Sequence, residues 1–260
     1  MAIDRLLRQR TTDLGQAQRE LLDAGFWLES SVLSRQEVLN SSEKLVRNDD
    51  VLVSCQDAYP ARWIMRLGAA APPALWKRGE MPAGTSIAVV GARSITPTVA
   101  RFAESVAKMA VERNLFVVSG GAAGSDRAAA KAVLASSIAE PQLCEILPYG
   151  LGLARGAHGC LLSLSPAYAE FSTAAAMERN TLIYASSERS VVVHARYRAG
   201  GAWHGAIECL RRRLSHLYVR ANGSECDVAL KALGATLLSR PEDCFGNLAE
   251  ERTLLDFAKP

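Results

Sequence analysis

Apolar and polar positions along the chain follow two patterns. Before residue 50 the apolar positions recur at helical spacing. Ala17, Leu21, Leu22 and Phe26 share one face, with Gly25 as a stop. Val38, Leu39 and Leu45 do the same within 34–46, a run that Ser34 is suited to cap. The polar stretch Arg47-Asn48-Asp49-Asp50 closes this piece, which predicts a small helical N-terminal domain over 1–50. A connector follows over 51–84. It is broken by Tyr59-Pro60 and Pro72-Pro73, with short strands expected at 51–53 and 74–76. From Ser86 the pattern changes. Short apolar runs at 87–90, 115–118, 142–147, 190–194, 216–219 and 235–238 alternate with helical segments at 97–113, 125–136, 173–186, 203–213 and 226–233.

Strands that are apolar throughout are buried on both faces, and helices between them require a parallel sheet covered on both sides. The expected architecture is therefore α/β. A Rossmann-like doubly wound parallel sheet spans 85–240, preceded by the small helical domain and followed by a short acidic tail over 241–260. Sheets of this kind bind ligands beyond the C-terminal ends of their strands, at helix N-termini.

Composition narrows the class. With 49% hydrophobic and 22% charged residues, the chain can bury a core without disulfides or metals. No apolar run approaches the ~20 residues of a membrane span, and Met1–Arg5 lacks the plan of a secretory signal. The six cysteines, at 55, 144, 160, 209, 226 and 244, show no CxxC pair and no zinc-site spacing. Reduced thiols, a cytoplasmic location and no metal or cofactor are expected. The net charge of +3 is unevenly distributed. Residues 1–50 carry 7 basic and 9 acidic groups and residues 221–260 carry 4 and 7, while 51–140 carry 10 and 6 and 141–220 carry 9 and 5. A basic middle between acidic ends suits an anionic ligand, and equally suits a solvated basic face.

Four strand ends carry candidate chemistry. Val90-Gly91-Ala92-Arg93-Ser94 is not a GxGxxG dinucleotide turn, but Gly91 permits a tight turn and Arg93 offers paired donors to a phosphate. In Ser119-Gly120-Gly121-Ala122-Ala123-Gly124-Ser125-Asp126 a strand leads in and a helix leads out. Its free amides can face an anion, or Ser125 or Asp126 can cap them. No Walker lysine is present. Arg179-Asn180, on the helix before the fourth strand, can face the crevice or solvent. Gly200-Gly201-Ala202-Trp203-His204 opens the next helix. There Trp203 can stack on a base or fill the core, and His204 can meet phosphate or water. Arg211-Arg212-Arg213 at that helix's end also complements its dipole.

Taken in order and spacing, these motifs resemble the DNA-processing protein A family (DprA, also called Smf), within the Rossmann-like group that includes the LOG-type proteins. Asp57-Ala58-Tyr59-Pro60 and Pro72-Pro73-Ala74-Leu75-Trp76-Lys77-Arg78-Gly79 are similar to the family's approach segment. Val90-Gly91-Ala92-Arg93 is similar to its V-G-[SA]-R turn, and 119–126 to its S-G-x-A-x-G-x-D loop. Arg179-Asn180 matches its R-N pair, and Gly201 with Ala206 its S-G-x-x-x-[TA]-A segment. The likeness spans 51–240. It implies a non-catalytic protein that binds single-stranded DNA in a basic pocket at the strand ends, acts as a homodimer and serves a RecA-type recombinase in DNA recombination or uptake. A role in a mobile-element or phage-defence system is the variant reading. The resemblance implies that Arg93 contacts phosphate, that the 120–124 loop presents amides and that Arg179 with Asn180 flanks the pocket; together with the strand-end residues read above, the candidate contacts are Gly91, Arg93, Ser94, Ser119, Gly120, Gly121, Gly124, Ser125, Arg179, Asn180, Gly200, Gly201, Trp203 and His204. Ala123 and Thr181 stand where relatives often carry arginine, and the tail after 240 leaves no space for the winged-helix domain of many relatives. The alternative is a LOG-like nucleoside monophosphate phosphoribohydrolase, or a nucleotide sensor. For the hydrolase Glu208 is the candidate carboxylate, although its interval from Gly200-Gly201 is one residue longer than in the P-G-G-x-G-T-x-x-E signature. One extra residue turns a helical side chain by about 100°.

Overall fold

The structure, a computed structural model, describes residues 49–53, 59–136, 142–155 and 158–246, and all statements below concern these. The helices expected within 1–48 and the tail after 246 lie outside the described residues. Nine strands form one sheet, β1 (Asp49–Val53), β2 (Ala74–Arg78), β3 (Ser86–Gly91), β4 (Phe116–Ser119), β5 (Leu143–Leu147), β6 (Cys160–Ser163), β7 (Arg189–His194), β8 (His216–Arg220) and β9 (Thr236–Leu238). Their spatial order is β1-β2-β6-β5-β4-β3-β7-β8-β9. From β6 to β9 every pairing is parallel. Chain order reverses at β3, with β4 on one side and β7 on the other, which makes this the doubly wound sheet expected from the apolar runs.

Two features depart from that expectation. The connector's strands join the same sheet, β1 to β2 and β2 to β6, both antiparallel. Strand β6 has no counterpart in the sequence reading, because Cys160-Leu161-Leu162-Ser163 is only four residues long and follows a Gly-rich stretch without a helical pattern.

Both faces of the sheet are covered because both faces of its strands are apolar. On β3, Ala88 and Val90 point into one core, and Ile87 and Val89 into the other. The first core takes buried side chains from α1 (Ala61–Leu67), α4 (Thr173–Ser186), α5 (Gly200–Arg212) and α6 (Glu225–Ala232). The second takes α2 (Pro97–Glu112) and α3 (Ser125–Leu134). Helix α2 starts at Thr96, whose side chain accepts from Val99 N, with Pro97 preset in the first turn. Helix α1 holds the end of α4. Trp63 Nε1 donates to Ser186 Oγ at 2.8 Å, Arg62 Nη1 donates to Ser186 O at 2.7 Å, and Arg66 Nη1 donates to Ala185 O at 3.0 Å. Cations on C-terminal carbonyls complement the helix dipole, so α4 is anchored at the end opposite the strand tips. Among the described residues no helix is long and apolar enough to cross a membrane, and the five described cysteines are free and buried.

Candidate functional site

Where β3 and β7 end side by side, the chain opens a cavity of about 720 Å³. Its walls come from the β3–α2 turn, the start of α3, one face of α4, and the turn from β7 into α5. A register shift at Val90/Gly91 lets Gly91 pair with His194, and Ala92 N donates to His194 O at 2.9 Å. No side chain fits at Gly91, since a Cβ would meet Ser125 Oγ and sit 2.9 Å from Val193 Cγ2. This close crossing sends Arg93 out over the cavity, where its guanidinium carbon lies 4.8 Å from the Phe171 ring centroid.

Helix α4 presents a helical stripe to the cavity, Thr173, Ala176, Met177, Asn180 and Tyr184, with Arg179 beneath it. Ser172 starts the helix by accepting from Ala175 N at 3.0 Å. Arg179 is 6% exposed. Its guanidinium fits because Gly120 has no side chain, and a Cβ there would overlap Nη1. Nη1 stands 3.9 Å from Asp126 Oδ2. That oxygen also accepts from Gly120 N at 3.0 Å and Ala122 N at 3.3 Å.

Burial pushes the Asp126 carboxyl up, against the pull of Arg179, the two amides and Arg93. Burial likewise pulls Arg179 down, and Asp126 opposes it. Glu145, behind Gly121, is raised by burial and by Asp126. For both partners burial opposes the charged form and the pairing favours it. Arg179 Nε, Tyr184 Oη and His194 Nδ1 are buried on cavity-lining residues without a hydrogen-bond partner. Each such atom costs about 1–3 kcal/mol, and three at one cavity point to a polar ligand.

Charge and dipole agree on its sign. Among the lining residues Arg93, Arg179 and Arg196 carry guanidinium groups, against the single carboxylate of Asp126. Helix α5 starts at the cavity with no side-chain cap, through Gly200 at φ 78° and Gly201. An uncapped helix start favours an anion. Asn180 Nδ2 donates to Gly201 O at 3.3 Å and ties α4 to this turn. Among the described residues no group of His, Cys, Asp and Glu is placed to hold a metal.

Of the residues selected from sequence, Gly91, Arg93, Ser94, Arg179, Asn180, Gly200 and Gly201 line the cavity. The others do not. The amides of Gly120 and Ala122 are taken by Asp126, and Ser125 N and Oγ both donate to Ala92 O, at 3.2 Å each. Two of the loop's amides are thus occupied within the loop, and Ser125 ties it to the β3–α2 turn. Gly121 faces Leu147, Gly124 packs under the Ala92 and Arg93 carbonyls, and Ser119 is fully buried. Trp203 is a core residue at 8% exposure, edge-on to Tyr197, and the exposed His204 lies off the cavity. Glu208 also lies off the cavity. Its carboxylate is bound by Arg211 at 2.7 Å and faces Arg212 at 3.6 Å, and the Arg211 hydrogen bond holds its pKa below the usual range. Phe171, Tyr184, His194 and Arg196 were not legible as site residues. Arg196 and His194 had a signal in their place at a strand end, whereas Phe171 sits in an irregular stretch without periodicity.

The sequence model of the DNA recombination-mediator protein A family matches residues 50–248. No curated protein matches the sequence. Among solved structures, the chain is similar to DNA processing protein A from Streptococcus pneumoniae, with a TM-score of 0.67 at 18% identity over 94% of this chain and 96% of that one. It is also similar to DNA processing protein A from Helicobacter pylori, a protein with a described single-stranded DNA binding mode, with a TM-score of 0.63 at 19% identity over 80% of this chain and 96% of that one. The molybdenum cofactor binding protein of Rippkaea orientalis shares the fold more distantly, with a TM-score of 0.50 at 14% identity over 67% of this chain and 99% of that one.

Proposed function

The chain belongs to the DNA recombination-mediator protein A family, and on that premise we propose that its cavity binds single-stranded DNA through the phosphodiester backbone, without chemistry on the strand. The observation that carries this reading is the set of unmatched donors in one cavity. Arg93, Arg179 and Arg196 line the same cavity, the uncapped start of α5 borders it, and Arg179 Nε is buried there without a partner. A phosphodiester presents acceptor oxygens and a negative charge to such donors. The hydrolase reading loses its candidate carboxylate, because Glu208 is bound to arginines away from the cavity. Family membership also supports action as a homodimer that delivers the strand to a RecA-type recombinase.

The test is equilibrium binding of an oligothymidylate across a salt series. Removing one neutralised phosphate flattens the slope of log K against log salt by about 0.7 for single strands. Arg93→Ala is expected to weaken binding and flatten the slope by about that amount. Arg101→Ala, on the exposed face of α2, is expected to change neither. Identical curves for wild type and Arg93→Ala would sink the reading. Release of free base from a nucleoside monophosphate, abolished in Glu208→Ala, would turn the assignment to a phosphoribohydrolase.

A further inference from the structure

Two aromatic rings, one lining the cavity and one on the turn between two lining residues, are exposed to solvent, and both sit under an arginine. Phe171 is 47% exposed with the Arg93 guanidinium carbon 4.8 Å from its centroid. Tyr197 is 37% exposed with that of Arg198 at 5.0 Å. Phe171 lines the cavity from the α4 side, and Tyr197 lies between the lining residues Arg196 and Ala199 on the β7–α5 side. We infer that Phe171 and Tyr197 are base-stacking residues, one at each of these two walls, so that the ligand is held by unpaired bases as well as by phosphates. This rests on the proposed strand-binding role of the cavity.

The backbone that carries each ring is ordered by local hydrogen bonds. Phe171 directly precedes Ser172, whose side chain fixes the first turn of α4. Tyr197 sits in a tight turn in which Ala199 N donates to Arg196 O at 3.2 Å and Arg198 is left-handed, at φ 53°. Its ring is braced edge-on by buried Trp203, with centroids 5.1 Å apart and planes at 80°. A large apolar ring left in water is unfavourable unless something covers it. A base covers it well, because every base has a π-face, and a guanidinium above the ring adds cation–π attraction. In duplex DNA the bases are already stacked on one another and cannot reach the rings, so the arrangement selects unpaired strands. The contrast within the molecule is informative. Tyr168, also exposed at 45%, packs beside Gly152 and is in none of the arginine–ring contacts seen among the described residues.

The experiment compares two oligonucleotides of equal length, an oligothymidylate and its fully abasic counterpart, which has the same phosphates and no bases. Wild type is expected to prefer the oligothymidylate. Phe171→Leu and Tyr197→Leu should each weaken oligothymidylate binding by about tenfold, within the range of stacking on one ring. Neither should change abasic affinity or the salt slope, and Phe171→Tyr and Tyr197→Phe should retain wild-type binding. Equal affinity of wild type for the two oligonucleotides overturns the inference while leaving the phosphate reading intact. So does an equal loss on both in the leucine variants, which would mean that the rings act only by positioning Arg93 and Arg198. Absence of binding to either oligonucleotide overturns both readings. Thermal melts of the leucine variants, expected to match wild type, separate loss of stacking from loss of fold.

Discussion

Arg179→Ala is expected to cost about 3–5 kcal/mol of stability and to abolish tight strand binding at the same time. The guanidinium is 6% exposed and faces Asp126, itself 3% exposed, at 3.9 Å. Removing one member of a buried pair leaves the other charge uncompensated, which is why the expected loss exceeds that of an ordinary truncation. The sign of the pH dependence follows from Asp126. Burial already raises its pKa above the ordinary carboxylate value, and Arg179 is the strongest influence pulling it back. Without Arg179 it rises further. A raised carboxyl pKa in the folded state means that the folded protein takes up a proton more readily than the unfolded chain. The penalty in Arg179→Ala is therefore fully present above the folded pKa and shrinks as pH falls through it. Denaturant melts from neutral to acid pH should show the gap to wild type narrowing. Stability and binding can be separated. Arg179→Met combined with Asp126→Asn removes both charges, and is expected to recover most of the stability but not the affinity for the strand. Recovery of wild-type affinity by that double variant would exclude Arg179 as a ligand contact.

Gly124→Ala is the second large effect. Gly124 has φ 79° and ψ −121°, a backbone conformation that side-chain-bearing residues avoid. A Cβ there would also press on the carbonyl oxygens of Ala92 and Arg93, the latter at 2.5 Å. Both obstacles are backbone, so no rotamer change relieves them. Strain and overpacking together predict a loss of about 3 kcal/mol. The carbonyls under pressure belong to the turn that carries Arg93, so the strand affinity should fall with the stability. Gly223→Ala is the control. Gly223 also has positive φ, 75°, but nothing lies within 4 Å of its Cβ position, and its melting point should fall by less. Equal melting curves for Gly124→Ala and wild type would show that the two loops are not packed together as described.

The sheet was legible because its signal is repeated. Six apolar runs alternating with helical segments each required the same parallel arrangement, and β3 shows why, with side chains in both cores. Strand β6 escaped because four residues without flanking periodicity carry too little pattern. The site was legible only in part, for a different reason. Sequence marks a glycine as permissive but does not say what approaches it. Gly120 makes space for a guanidinium, Gly124 for a neighbouring loop, and Gly201 borders the cavity. The three look alike in the chain. In the same way a carboxylate near the start of a helix-like run, Asp126, reads as a cap from sequence, yet it both caps its loop and pairs with Arg179 across the fold. That pairing spans 53 positions, and no local pattern encodes it. Trp203 has the place of a stacking residue, at a helix start, but the helical phase turns it into the core and leaves Tyr197 at the surface.

The most direct test of the cavity as the strand-binding site is a crystal structure of the protein with a short oligothymidylate bound. A phosphate of the strand is predicted within hydrogen-bonding distance of Arg93 and Arg179 at the C-terminal ends of β3 and β7, with Arg179 Nε no longer unpartnered. A strand lying on another face, with Arg93 and Arg179 making no contact to it, would contradict the assignment.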